Sequence, residues 1–236
     1  MSLSTPTQAE SARYAEERQR MVAEQIVARG VKDMLVLNAM RTVPRHEFVP
    51  EELRPAAYRD APLPIGENQT ISQPYIVALM TEALGLEGGE KVLEVGTGSG
   101  YQAAVLDELA GEVFTIEIID KLAERADSTL NRLGYHDIKV RAGDGYRGWP
   151  ENAPFDAVIV TAAPNHVPQP LLDQLRIGGR LVLPVGKKRQ VLQVWTRTED
   201  GFETRNLVPV QFVPMTGEAE AGANDDSEKP VPKEER

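Results

Sequence analysis

The stretch Lys91–Gly100, K-V-L-E-V-G-T-G-S-G, constrains this chain more than any other. Val92, Leu93 and Val95 make an apolar run of strand length that passes directly into alternating glycines. A helical pattern opens at Tyr101, with Ala103, Ala104, Leu106 and Leu109 on one face. Strand, glycine turn and helix start together form the first half of a nucleotide-binding βαβ unit. Gly96, Gly98 and Gly100 omit the Cβ atoms that would block the turn and hold a ligand off the backbone. Their spacing is G-x-G-x-G, not the G-x-G-x-x-G of dinucleotide binders, and Glu94 sits on the strand just before the turn. A pyrophosphate prefers bare N–H groups with no anion beside them. A carboxylate there suits a cationic or zwitterionic ligand instead, so S-adenosyl-L-methionine fits better than NAD.

The whole chain narrows the function classes. A net charge of −10 over 236 residues argues against a broad nucleic-acid surface or a basic membrane-binding patch. There is no cysteine, which excludes disulfides, thiolate metal sites and a cysteine nucleophile. The first twenty residues are polar and charged, so neither a signal peptide nor a membrane span is expected, and the cytoplasm is the expected location. His46, His136 and His166 have no metal-ligand spacing and no G-x-S-x-G elbow accompanies them, so neither a metal nor a serine triad is expected.

Four segments follow from composition and pattern. Residues 1–7 read as a flexible arm, 8–84 as a helical and Pro-rich cap on the substrate side, and 85–216 as a Rossmann-like cofactor-binding domain. Residues 217–236, with seven acids against three bases, read as a disordered tail. Within the cap, one helix is expected from Gln8 to Arg29 with Gly30 as its stop, and another from Asp33 to Arg41. About thirty irregular residues come next, and then a helix from Pro74 to Leu84. Strands are then expected over 91–95, 113–117, 138–142, 155–161, 180–185, 191–196 and 207–213, with helices over 101–110, 119–133 and 168–175. The alternation predicts an α/β fold, a doubly wound and mostly parallel sheet with helices on both faces. A short polar connection between the last two strands predicts an antiparallel edge.

Two more acids belong to the same crevice. Glu117 ends the second strand 21 residues after Gly96, where a carboxylate lies over the ribose of NAD or S-adenosylmethionine alike. Asp144-Gly145 follows the third strand, where an acid can accept from an adenine amino group while the glycine lets the ring approach. Ser72, in Q-T-I-S-Q-P, precedes a proline-initiated helix and taken alone reads as an N-cap.

The segments G-E-N-Q-T-I-S-Q-P, E-V-G-T-G-S-G, A-G-D-G and L-L-D-Q-L-R-I-G-G-R-L-V-L-P-V-G resemble the protein-L-isoaspartate (D-aspartate) O-methyltransferase family, and the resemblance runs from Met21 to Thr216. It implies a Rossmann-like class I methyltransferase fold with an N-terminal cap. It implies a repair enzyme that moves the methyl of S-adenosyl-L-methionine to the free α-carboxylate of L-isoaspartyl residues in damaged proteins and peptides. No covalent enzyme intermediate is expected, and the chain is expected to act as a monomer without nucleic acid or membrane. Ser72 corresponds to the family's active-site serine, here a positioning hydrogen-bond donor. Gln69, Thr70, Ile71, Ser72, Glu94, Gly96, Thr97, Gly98, Gly100, Glu117, Asp144, Gly145 and Thr216 correspond to the lining of the cofactor and substrate crevice. Two positions depart from the pattern: Glu67 stands where a small or neutral residue is expected, and Val77 where some members carry histidine. An NAD-dependent oxidoreductase, a methyltransferase with another substrate and a non-catalytic binding protein are the competing readings.

Overall fold

The computed structural model describes residues 8–221. The expected arm over 1–7 and the tail beyond 221 lie outside the described residues. Helix α1 (Gln8–Met21) runs on through a π-helical turn, Val22–Ile26, and a 3-10 turn, Val27–Arg29. Gly30 stops it at φ 94°, donating its N–H to the Val27 carbonyl. The next helix, α2 (Met34–Thr42), starts where Asp33 accepts the N–H groups of Leu35 and Val36 at 2.8 and 3.3 Å.

The irregular stretch is ordered. Two 3-10 turns, Arg45–Phe48 and Glu51–Ala56, lead into a hairpin of β1 (Leu63–Gly66) and β2 (Gln69–Ile71). Its turn residues Glu67 and Asn68 both lie in the left-handed region, φ 51° and 57°, which matches the right-handed twist of the flanking strands. Glu67, the departure from the family pattern, reaches Lys121 at 3.5 Å from this turn. The hairpin delivers the chain to helix α3 (Pro74–Leu84).

Beyond it lie β3 (Lys91–Val95), α4 (Tyr101–Asp107), β4 (Glu112–Glu117), α5 (Asp120–Leu133), β5 (Lys139–Ala142), β6 (Phe155–Val160), α6 (Gln169–Asp173), β7 (Leu175–Val185), β8 (Gln190–Thr198) and β9 (Gly201–Val210). They form one sheet in the order β5-β4-β3-β6-β7-β8-β9, parallel as far as β7 and antiparallel for the last two pairings. The doubly wound fold with an antiparallel edge is therefore the one expected. Side chains alternate across the sheet. Leu93, Val95, Phe114 and Ile116 pack with Phe155, Leu171 and Leu175 on one face, while Val92 and Val113 pack with Ala103, Leu106 and Leu130 on the other.

Several boundaries differ from expectation, and three of the differences have a clear physical reason. Strand β7 begins at Leu175, because Leu175 already pairs with Phe155 ahead of a bulge. Strand β9 spans 201–210, not 207–213, because the residues after it turn toward the loop following β6. There the Ala163 N–H donates to the Val213 carbonyl at 2.8 Å and the Met215 N–H donates to the Ala163 carbonyl at 2.9 Å. The expected disorder does not begin at Gly217, since Glu218–Ala221 is a short helix, α7, with Ala219 buried in the second core cluster.

From β3 the chain winds outward through β4 and β5, then returns to β6 on the other side of β3. The carboxyl ends of β3 and β6 thus flank the topological switch point, where open α/β sheets leave a ligand crevice. Gly100 supports this arrangement from behind. It precedes α4 at φ 88°, and a Cβ there would lie 3.2 Å from Leu130 Cγ and 3.5 Å from Ala126 Cβ. Gly100→Ala is therefore expected to lower stability by roughly 1–3 kcal/mol. A urea denaturation midpoint equal to that of the parent would contradict this.

Candidate functional site

Pairing of Val95 with Val160 sets Gly96 beside Thr161. The Thr161 hydroxyl donates to the Gly96 carbonyl at 2.6 Å, and the Gly96 N–H donates to the Ile116 carbonyl at 2.8 Å. One oxygen of Glu117 accepts the Gly98 N–H at 2.8 Å and the other accepts the Ile119 N–H at 3.0 Å. This buried carboxylate ties the turn after β3 to the turn after β4. Each of its oxygens keeps a second lone pair for a hydroxyl donor.

Glu94 projects from the α3/α4 side of β3 and is fully buried. Its Oε2 accepts from the Thr115 hydroxyl at 2.6 Å, while Oε1 has no partner. Thr115 in turn lies 2.6 Å from the Thr97 hydroxyl. Burial pushes the Glu94 carboxyl up to about 8; the Thr115 bond opposes that shift and the Glu117 charge adds to it.

Three adjoining hollows form one crevice. The first, about 610 Å³, lies between the glycine turn, the end of β4 and residues 213–216. The second, about 410 Å³, lies over Glu94, and the third, about 1330 Å³, runs past Ser72 to Gln73, Ile76 and residues 209–213. Thr70 and Thr161 line all three, and Ser72 borders the second and third.

Most of the residues picked out in the sequence meet here. Gln69, Thr70, Gly96, Gly98, Glu117, Gly145 and Thr216 line the first hollow. Thr70, Ile71, Ser72, Glu94, Gly96, Thr97 and Gly98 line the second. Two stand behind the walls. Gly100 packs against α5, as described above. Asp144 already uses Oδ1 for the Tyr146 N–H at 2.9 Å and Oδ2 for the Glu218 N–H at 2.8 Å, so it anchors α7 over the cleft. Ser72 is not the N-cap of α3. That position belongs to Gln73, whose side chain instead donates to Asp60 Oδ1 at 2.8 Å. The Ser72 hydroxyl makes no hydrogen bond among the described residues and is free to donate. Thr161, Ile118, Val213 and Met215 are wall residues that the sequence reading missed. Thr161 had a usable signal, since it follows the strand across the switch point from β3.

The crevice offers a buried carboxyl oxygen without a partner at one end, which a cation would ionise, and a backbone-held carboxylate in the middle. Its far end is an apolar slot of Ile116, Ile118 and Met215. It fits an elongated molecule with a cationic amino-acid end, adjacent hydroxyls and a flat ring.

Comparisons with known proteins converge on one family. A family model described as Protein-L-isoaspartate(D-aspartate) O-methyltransferase matches residues 16–220. The chain is 57% identical to the Protein-L-isoaspartate O-methyltransferase of Gloeobacter violaceus, over 84% of this chain and 98% of that one. It is 57% identical to Protein-L-isoaspartate O-methyltransferase 2 of Shewanella sediminis, over 92% of this chain and 90% of that one. Among solved structures, a protein-L-isoaspartate O-methyltransferase superposes with TM-score 0.76 at 30% identity, and the match covers 86% of this chain and 66% of that one. A Plasmodium falciparum structure described as the same enzyme, in complex with S-adenosyl-L-homocysteine, superposes with TM-score 0.74 at 26% identity, covering 84% and 98%.

The raised Glu94 carboxyl has a measurable sign. Between its usual value of 4.5 and about 8, the folded chain holds a proton that the unfolded chain has released. Stability of the ligand-free protein therefore falls as pH rises through that window. Glu94→Gln is expected to remove this dependence, which is worth on the order of a few kcal/mol across the window. Urea denaturation between pH 5 and 9 measures it, and parallel profiles for parent and variant would contradict it.

Proposed function

The chain belongs to the protein-L-isoaspartate(D-aspartate) O-methyltransferase family, and we propose from its geometry how its residues carry out that family's reaction. The enzyme is S-adenosyl-L-methionine-dependent and methylates L-isoaspartyl residues in damaged proteins and peptides. The observation that carries the site reading is the position of Ser72. Its unengaged hydroxyl borders both the hollow over Glu94 and the open hollow beyond it.

The cofactor supplies a methyl on a sulfonium, so transfer to a carboxylate oxygen forms a C–O bond as the C–S bond breaks and opposite charges cancel. When the cofactor binds, Glu94 Oε1 would hold its cationic end, the free lone pairs of Glu117 its ribose hydroxyls, and Gly145, Ile118 and Met215 its ring. Ser72 donates to the substrate carboxylate and turns one of its oxygens toward the methyl. No general base is needed, because that carboxylate is already ionised at neutral pH. The task left to the protein is orientation and exclusion of water, since both reactants carry charge that the transition state loses. The cap over 8–84 supplies the exclusion and the sheet domain over 85–216 the orientation. The damaged peptide enters along residues 209–213, where the end of the edge strand β9 runs into the wall of the third hollow.

The same proposal places the enzyme in the cytoplasm as a monomer. A net charge of −10 supports protein over nucleic acid as its partner. Among the described residues no helix is long and apolar enough to cross a membrane.

Paired peptides differing only in aspartyl or isoaspartyl linkage, incubated with labelled S-adenosyl-L-methionine, test substrate class; base-labile label on the isoaspartyl member alone is expected. S-adenosyl-L-homocysteine is expected to raise the melting midpoint where NADH does not. Ser72→Ala is expected to bind S-adenosyl-L-homocysteine as the parent does but to lose about tenfold or more in kcat/KM. Unchanged turnover would remove Ser72 from the site.

A further inference from the structure

Arg45 is among the largest side chains that the fold buries completely. Its Nε donates to the Ala57 carbonyl at 2.8 Å and its Nη2 to the Ser72 carbonyl at 2.6 Å. The guanidinium carbon lies 4.8 Å from the centroid of the Tyr101 ring, and Nη1 has no acceptor. Among the described residues no carboxylate pairs with it. Neighbouring Glu47 is engaged by Arg54 and Arg132 at 3.3 and 2.9 Å. The phenols of Tyr58 and Tyr101 face the guanidinium, and burial raises both, keeping them neutral. Burial lowers Arg45 only to about 10, so it is charged at neutral pH.

Bridging two carbonyls does not require a charge; a neutral amide can donate to both. A buried cation held by two carbonyls and the Tyr101 side chain, with no carboxylate beside it, is costly, and an anionic substrate nearby would offset that cost. Tyr101 and Ser72, the two groups against Arg45, both line the hollow over Glu94. The guanidinium therefore lies behind the wall where the substrate carboxylate comes to rest, with the Glu94 carboxylate in the same hollow. The pocket is polarised: its negative side suits the methyl donor and its positive side suits the acceptor.

Building on the site reading above, we propose that Arg45 is a positioning residue for methyl transfer: it fixes the Ser72 backbone and supplies the positive charge that makes the site select a carboxylate over a neutral group. Holding the Ser72 carbonyl fixes the peptide plane between Ser72 and Gln73, and with it the direction of the Ser72 side chain. The charge acts through that wall without touching the substrate.

The test compares two inhibitory peptides bound in the presence of S-adenosyl-L-homocysteine. One carries the isoaspartyl α-carboxylate and the other an α-carboxamide at the same place. The parent is expected to prefer the carboxylate by about tenfold or more, as charge-assisted recognition requires. Arg45→Gln is expected to lose most of that preference while its S-adenosyl-L-homocysteine affinity stays within about threefold of the parent. Arg45→Lys keeps the charge but not the fork, so it is expected to keep the preference and lose about tenfold in kcat. A purely structural role would weaken both peptides equally. Arg45→Gln with an undiminished carboxylate preference, or Arg45→Lys with parental kcat, overturns the proposal. If Arg45→Gln does not fold, Arg45→Lys decides alone, and loss of the carboxylate preference there overturns it as well. A parent enzyme that methylates no isoaspartyl peptide would instead sink the functional reading itself, whatever the Arg45 variants do.

Discussion

The hydrogen bond from the Thr161 hydroxyl to the Gly96 carbonyl marks the seam on which the molecule is arranged. It joins the ends of β3 and β6, neighbours in the sheet that the chain visits 65 residues apart. Because the winding reverses there, no helix among the described residues crosses above the seam, and the crevice is what that reversal leaves open. Everything that gives the crevice its chemistry is referred to the same point. The glycine turn departs from it, Glu117 clamps that turn to the next strand end, and Thr70 and Ser72 close down on it from the hairpin. Since Glu117 is held by backbone on both oxygens, the cofactor side of the crevice is ordered before any ligand arrives.

Against that rigid frame stand two buried ionisable groups that a stability-optimised protein would not keep. Glu94 leaves one oxygen without a donor and Arg45 leaves one nitrogen without an acceptor. Their joint retention makes sense for a reaction that brings a cation and an anion together and ends with neither. A pocket of uniform polarity would attract one reactant and repel the other. The fold accepts a local destabilisation at both groups, and the two apolar clusters flanking the sheet offset it.

What could be read in the sequence was local. The strand and helix periods, the glycine turn and the Glu94 position are all contained in windows of about ten residues, so they were legible without tertiary information. The β1–β2 hairpin was not, because glutamate at Glu67 disguises a turn that needs two consecutive left-handed residues. Asp144 stands at the strand end where a ligand acid belongs, yet one of its oxygens is held by the backbone of Glu218, 74 residues on. Arg45 carried no periodic or motif signal at all. Its meaning lies in Ala57, Ser72 and Tyr101, which only the folded cap brings together. Low composition-weighted hydrophobicity after Gly217 likewise hides Ala219, which packs into the second core cluster.

Residues 213–216 complete the wall over the first hollow, and they follow every strand of the sheet along the chain. None of them belongs to the seven-stranded sheet, so a chain cut after Val210 would keep every strand and have an open groove where the full one has a walled crevice. Retention of the methyl donor thus rests on backbone that the sheet itself does not need.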